Sequence, residues 1–167
     1  MESIIQQYAA YNLWANQKLA YFYNSCENLY FFKAIDNSFP TVKDTFVHIY
    51  GAELIWLNRL QGTPIDKFPK FENNKEAVLT ALVNQSKAFS AYIQTLSENQ
   101  LKAIFHYQDA QGEQHENKVN DAIFHCMNHS TYHRGQLLTL SKQLKLKGAP
   151  STDLIGYLRD KKMEFYK

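Results

Sequence analysis

Turn-forming residues are scarce in this chain. Its 167 residues include only 6 glycines and 4 prolines, so a fold of many short strands joined by tight turns is not expected. No segment approaches the run of about 18 apolar residues that a membrane-spanning helix requires. The scarcity of chain-breaking residues predicts long uninterrupted helices, and the length predicts a single helical domain over residues 1–167.

An excess of charge of one sign is also missing. The chain has 18 Lys and Arg against 16 Asp and Glu, without the clustered basic face of a nucleic-acid-binding protein. The N-terminal segment lacks a basic stretch followed by an apolar one, so we expect no secretion signal. Cys26 and Cys126 are too few for a disulfide framework and are typical of a reducing compartment. We therefore expect a cytoplasmic protein with neither a nucleic-acid nor a membrane partner.

Four long segments carry apolar residues at steps of three and four, which predicts helices. Thr41 and Asp44 resemble a capping box before the second segment, and Asn74 is a plausible cap of the third. Amphipathic helices of this length predict an all-α fold, a four-helix bundle whose packing order the pattern leaves open. The predicted helices cover Glu2–Asn24, Val42–Leu60, Lys75–Leu96 and Val119–Leu146.

Three further segments connect or close these helices. The polar stretch Gly62–Asn74 predicts a loop. Phe105 and Tyr107 alternate with polar residues before the turn-like Asp109–Gly112, which predicts a short hairpin ahead of the last long helix. Residues Asp153–Lys162 predict a short C-terminal helix.

Three of the six histidines stand four residues apart, at His125, His129 and His133. On a helix, side chains at this spacing lie on one face, so two neighbouring imidazoles can bind one metal ion. His125 and His133 are about 12 Å apart along the axis, so one ion takes either His125 with His129 or His129 with His133. The apolar stripe has His129 and His133 near its centre and His125 toward its edge, which favours the second pair.

Each candidate also has a plainer interpretation. A lone histidine on an apolar face is usually a core residue with one hydrogen bond, but two adjacent ones both need partners, because an unpaired buried polar group costs about 1–3 kcal/mol. His48 lies beside small residues of the second helix, yet the strongest apolar face of that helix points elsewhere, so periodicity alone does not select it. Asp44, one turn earlier, is either a helix cap, the favoured role, or the acceptor of the second ring N–H of His48.

Two residues after the histidines invite attention. Arg134 points about 100° away from His133 around the helix, so we expect it to join helices through Glu53 or Asp153. Gln136 returns toward the predicted site, where it either contacts a bound water or has a structural role.

At these residues the sequence resembles the DinB (DNA-damage-inducible) family and its wider DinB/YfiT-like superfamily. The resemblance covers nearly the whole chain, and the third of four matching stretches is the most specific. The stretches are YNLWAN from Tyr11, HIYGAELIWLNRLQG from His48, NHSTYHRGQ from Asn128 and TDLIGYL from Thr152.

The resemblance implies an up-down-down-up four-helix bundle, often a homodimer, that holds one divalent ion, commonly nickel or zinc. It implies that the ligands are His48, His129 and His133, with His125 outside the set. Characterised relatives of this kind transfer low-molecular-weight thiols to electrophiles or isomerise a maleyl substrate with a thiol cofactor. No catalytic residue is carried over.

Three hypotheses of function follow. The first is a metal-dependent enzyme, a thiol S-transferase or hydrolase acting on a small electrophilic substrate, with a low-molecular-weight thiol as the possible second partner. The second is a metal-binding stress-response protein without turnover. The third is a helical interaction module whose histidines are core residues. Metal content separates the third from the others, and turnover separates the first from the second.

Overall fold

Seven helices and one two-stranded sheet make up the computed structural model, which describes residues 3–35, 38–63, 65 and 67–164. The predominantly helical fold expected from the sequence is confirmed. The predicted helix start at Glu2 lies outside the described residues. The elements are α1 (Ile4–Ser25), α2 (Asn28–Phe32), α3 (Val42–Gln61), α4 (Lys75–Thr95), α5 (Glu98–Lys102), β1 (Ile104–Gln108), β2 (Gln114–Lys118), α6 (Val119–Gln143) and α7 (Leu154–Glu164).

The four long helices pack side by side around a common core. Helix α1 contacts α4 and α6, and α3 contacts the same two helices. Each long helix therefore has two long neighbours, and the apolar stripes meet between them. Fully buried side chains from all four helices form this core, among them Leu19, Phe46, Leu82 and Leu137. None of the helices in the described ranges is long and apolar enough to cross a membrane.

Local signals in the sequence explain where helix α3 begins and ends. The Thr41 hydroxyl oxygen accepts the backbone N–H of Asp44 at 3.0 Å, which makes Thr41 the N-cap. The same hydroxyl donates to Oδ2 of Asp44 at 2.6 Å, so the Asp44 carboxylate supports the cap through the Thr41 side chain. The helix ends at Gly62, whose φ of 66° lies in the left-handed region that favours glycine. These two caps fix the length and the position of a helix that carries one of the candidate ligands.

The two short strands lie directly before α6. They pair antiparallel, with Ile104 opposite Lys118 and Gln108 opposite Gln114. The Asp109 carboxylate stabilises the connection by accepting the N–H groups of two residues in the turn, each at 2.9 Å. Strand β2 ends at Lys118 and α6 begins at Val119, so the strand leads into the helix without a loop between them.

A buried polar network joins the four long helices. The fully buried carboxylate of Glu53 on α3 accepts the Nδ2 groups of Asn12 and Asn16 on α1 at 2.7 and 2.9 Å, and the Ser86 hydroxyl on α4 at 2.7 Å. The same asparagines accept from the guanidinium of Arg134 on α6 through their Oδ1 atoms. Arg134 thus joins helices as expected, but it reaches Glu53 through two amides, and no direct ion pair forms between the two described side chains.

Candidate metal centre

Helices α3 and α6 bring three histidines to one point. On α6, His133 belongs to the buried stripe that includes Cys126, Ser130 and Leu137, while His129 lies half-buried at the border of that stripe. His48 is half-buried on α3, which packs against α6. The helical spacing of four residues places His129 and His133 on one side of α6, and the packing of the two long helices supplies the third ring.

The ligand atoms of these rings converge. Nε2 of His48 lies 2.9 Å from Nε2 of His129, although the two residues are 81 positions apart in the chain. Nε2 of His133 lies 3.1 Å from the same atom. Nitrogen ligands placed tetrahedrally at about 2.0–2.1 Å from a zinc ion are spaced about 3.3 Å from one another. The two measured separations are slightly shorter than this spacing, and the ligand atoms of all three histidines lie within 4.8 Å of one another, so the group could hold one ion.

Gln136 fixes the orientation of one ring. Its side-chain Oε1 lies 2.7 Å from Nδ1 of His133, and because an amide oxygen only accepts, the ring proton is on Nδ1. Nε2 of His133 therefore presents a lone pair toward the other two rings. Nδ1 of His129 is buried and has no hydrogen-bond partner within the described part of the chain. The inward lone pair on Nε2 of His133, with an outer hydrogen bond to the opposite ring nitrogen, is the arrangement that metal-binding histidines usually have.

Burial favours the uncharged form of two of these rings. It lowers the pKa of His129 to about 4, an effect to which His133, His48 and His125 add. Burial, followed by the proximity of His133, also lowers the pKa of His48. A histidine must be neutral to bind a metal ion, so the surroundings of His48 and His129 favour the form that can act as a ligand.

The fourth neighbouring histidine lies outside the group. The centroid of the His125 ring is 6.3 Å from that of His129, and it packs against the Trp56 ring at 5.2 Å. Of the two helical pairs that the sequence left open, the structure joins His129 with His133, and it adds His48 to them. His48 was selected by the resemblance and not by periodicity.

Aromatic rings cover the cluster. The Phe39 ring lies 4.4 Å from the His48 ring and 5.3 Å from the His133 ring, and the Tyr132 ring lies 4.9 Å from His133. No pattern in the sequence indicates that Phe39 lies here, because it precedes α3 in an irregular segment. A cavity of about 610 Å³ borders the cluster, and Phe39, His48 and His129 are among its lining residues. Two of the three histidines are therefore accessible from this cavity, with the Phe39 ring beside them.

These features define a helical protein with a candidate three-histidine metal centre. The model of the DinB family matches residues 1–161. The chain belongs to the DinB family, as the resemblance in its sequence implied.

Individual relatives agree with this assignment. Protein DinB of Bacillus subtilis (strain 168) is 25% identical over 157 residues, which cover 89% of this chain and 90% of that protein. A DinB-like protein from Bacillus cereus ATCC 10987 has a TM-score of 0.70 at 19% identity, over 90% of this chain and 97% of the other. A DinB-like protein from Bacillus subtilis has a TM-score of 0.65 at 15% identity, over 90% and 99%. The two solved structures share the fold of this chain.

Proposed function

We propose that this protein binds one divalent metal ion through His48, His129 and His133 and acts as a metal-dependent enzyme on a small electrophilic substrate. The reaction class is thiol S-transfer or hydrolysis. The observation that carries the proposal is the convergence of three Nε2 atoms, those of His48 and His133 within hydrogen-bond distance of that of His129, beside an open cavity. Nickel or zinc is the proposed ion, since imidazole ligands suit both.

The residues of the chain have distinct parts in this proposal. A bound ion would lower the pKa of a water or a thiol, so that a nucleophile exists at neutral pH. Gln136 holds the His133 ring with its Nε2 facing inward. Phe39 packs against the rings of His48 and His133 and limits the access of water to them. The substrate enters through the cavity that Phe39, His48 and His129 line together.

A cobalt-substituted protein tests the proposal directly. When a small thiol such as 2-mercaptoethanol is added, we expect a thiolate-to-cobalt charge-transfer band, because coordination stabilises the thiolate. The metal-free protein and the His129→Ala variant should show no band. His106→Ala is the matched control, because His106 lies on the exposed sheet, and it should behave as the wild type.

Turnover separates the enzyme from the alternative, a non-catalytic metal-binding stress-response protein. The zinc- or nickel-loaded protein is mixed with the same thiol and 1-chloro-2,4-dinitrobenzene, and thioether formation is followed. Acceleration that depends on His129 supports the transferase. A band without turnover on this or any other electrophile supports the binding protein, and a spectrum that no thiol changes favours hydrolysis or a non-catalytic role.

The proposal includes an assembly, a topology and a location. We propose a homodimer, because exposed apolar side chains of α1, α6 and α7, namely Ile4, Phe124 and Leu154, surround one cavity. The four long helices are proposed to run up-down-down-up within a single domain, as the resemblance implies. A cytoplasmic location is proposed because Cys26 and Cys126 are both free thiols.

A further inference from the structure

We propose that the cavity beside the histidine centre binds a substrate carrying a carboxylate, and that Arg59 pairs with that carboxylate. The inference rests on the proposed function, because it treats the histidines as the metal end of the same site. It adds a substrate class and a residue that determines specificity, neither of which follows from the three histidines.

One face of helix α3 runs the length of this cavity. His48 lies at one end and Arg59 at the other, with the small side chains of Gly51 and Ala52 between them. The 11 residues from His48 to Arg59 rise about 16 Å along the helix, and an arginine side chain leans back toward the N-terminal end. The absence of a side chain at Gly51 lets the Phe68 ring pack close to the helix. His48 and Arg59 both line the same cavity beside this ring, so an elongated molecule could contact both ends at once.

The Arg59 guanidinium packs on two aromatic rings but makes no polar contact with the described residues. Its central carbon lies 4.8 Å from the Trp56 ring and 4.8 Å from the Tyr107 ring of β1. Among the described residues it has neither a hydrogen bond nor an ion pair. Stacking on aromatic faces fixes the plane of a guanidinium and leaves its N–H edge available. That edge matches the two oxygens of a carboxylate.

Arg134 provides the contrast within the same chain. It is buried, and its two terminal nitrogens donate to Asn12, Asn16 and Thr131. Both terminal nitrogens of the structural arginine are thus occupied by protein oxygens, and only its Nε lacks a partner among the described residues, whereas Arg59 faces a cavity. This difference between the two arginines indicates that the N–H groups of Arg59 are available to a ligand in the cavity.

A continuous aromatic wall leads from the histidines to Arg59. The His129 ring is followed by the His125 ring at 6.3 Å, and that ring is followed by Trp56 at 5.2 Å. Phe68 also lines the cavity, and its ring packs over Gly51, with one ring carbon 3.8 Å from the position of a Cβ atom there. Such walls favour a substrate with an apolar body between its two polar ends.

The charges around the cavity favour a single negative charge. Arg59 is the only Lys or Arg among its described lining residues, and Asp44 at the histidine end contributes a carboxylate. Asp44 already accepts the Thr41 hydroxyl, and it would repel a second anionic group placed there. One arginine opposite one carboxylate suits a monoanion such as a carboxylate better than a phosphate dianion.

A pair of thiols of equal length tests the inference. The full-length zinc-loaded protein is titrated with 6-mercaptohexanoate and with 6-mercaptohexanol, and the dissociation constants are measured by calorimetry. We expect the carboxylate to bind about tenfold more tightly, the effect of one charge-assisted hydrogen-bonded pair. Arg59→Gln should remove the preference, Arg59→Lys should retain part of it, and Lys102→Gln, a surface cation paired with Glu98, should leave it unchanged.

A second arm separates this inference from the proposed function. The His129→Ala variant is mixed with 4-phenylbutyrate, which has no thiol, and binding is followed by ligand-observed NMR with and without Arg59→Gln. Binding that depends on Arg59 supports the carboxylate site even if the wild-type protein binds no divalent metal ion, a result that would remove the proposed function alone. Equal affinity of the two thiols for wild type, or a preference that survives Arg59→Gln, overturns the inference and leaves the proposed function in place.

Discussion

Gln136 accepts a hydrogen bond from the ring nitrogen of His133 that faces away from the other histidines. The two atoms, Oε1 and Nδ1, are 2.7 Å apart, and the residues lie three positions apart on α6. Outer hydrogen bonds of this kind set the tautomer and the direction of a metal-binding imidazole. The interaction therefore makes Gln136 a positioning residue for the proposed centre, where the sequence left a choice between water contact and a structural role.

Replacing Gln136 should weaken metal binding without removing a ligand. Gln136→Leu loses the acceptor for the ring N–H, and we expect an affinity for zinc about 10–100-fold lower. Competition with a fluorescent chelator measures the change. Gln136→Glu keeps an acceptor and should stay close to wild type, and Thr139→Ala on an exposed part of α6 serves as the control. An unchanged affinity in Gln136→Leu would show that His133 does not depend on this contact.

The three histidines and their neighbour should differ in their effect on metal content. We expect about one divalent ion per chain in protein purified without a histidine tag, none in the double variant His129→Ala/His133→Ala, and a sharply lower content in His48→Ala. His125→Ala should remain near wild type, because its ring lies outside the convergent group. Elemental analysis provides the measurement. Metal retained by the double variant would place the site elsewhere.

Glu53 should make stability depend on pH. Burial raises the pKa of Glu53 in the folded protein, against the hydrogen bonds of Ser86, Asn12 and Asn16 and the charge of Arg134, which lower it. The folded chain therefore holds this proton more tightly than the unfolded chain, whose glutamate pKa is about 4.3. Stability from this group is present below about pH 4.3 and is lost as the pH rises through the folded pKa.

The comparison with Glu53→Gln isolates this contribution. The free energy of unfolding in urea is measured for both proteins from pH 4 upward, so that the titrations common to both cancel. We expect the wild-type value minus the variant value to fall by up to about 1.4 kcal/mol per pH unit within the window. A difference that stays constant, or that grows with pH, would contradict the raised pKa.

A charge in the exposed apolar surface should disrupt the proposed homodimer. The Phe124 side chain is 42% exposed, and Ile4 is 77% exposed. Phe124→Glu would place an unpaired carboxylate in the contact, so we expect a monomer by sedimentation velocity at concentrations where the wild type sediments as a dimer. Glu98→Gln, on the surface of α5, is the control. A dimer that persists in Phe124→Glu would mean that the copies associate through another surface.

The sequence predicted the long helices because each presents a regular apolar stripe to the core. It missed α2 and α5, which have five residues each and are too short for a period of 3.6 to show. Ser97 and Gln100 form a capping box at the start of α5, a signal that was readable. Helix α6 ends at Gln143, three residues before the end that the sequence predicted. Leu144 and Leu146 continue the apolar pattern and pack with the core after the helix has ended, so the pattern overestimated the length of the helix.

The candidate centre was predictable where helical spacing alone decides it. His129 and His133 share a face of α6, and that follows from their separation. His48 could not be selected from its own helix, since it borders a cavity and its neighbours on that face do not form the main apolar stripe. Phe39 and the two bridging asparagines depend on how distant segments pack, and a pattern within one segment carries no information about that.

The buried bridge between Glu53 and Arg134 has a consequence for how an ion is acquired. Glu53 lies five residues after His48 on α3, and Arg134 directly follows His133 on α6. Their hydrogen bonds through Asn12 and Asn16 hold both helices by contacts that include no ligand atom. Little conformational entropy is left for an ion to remove when it enters. The protein should thus take up, release and exchange the proposed ion as an already folded molecule, and the identity of that ion should follow the metals supplied after synthesis.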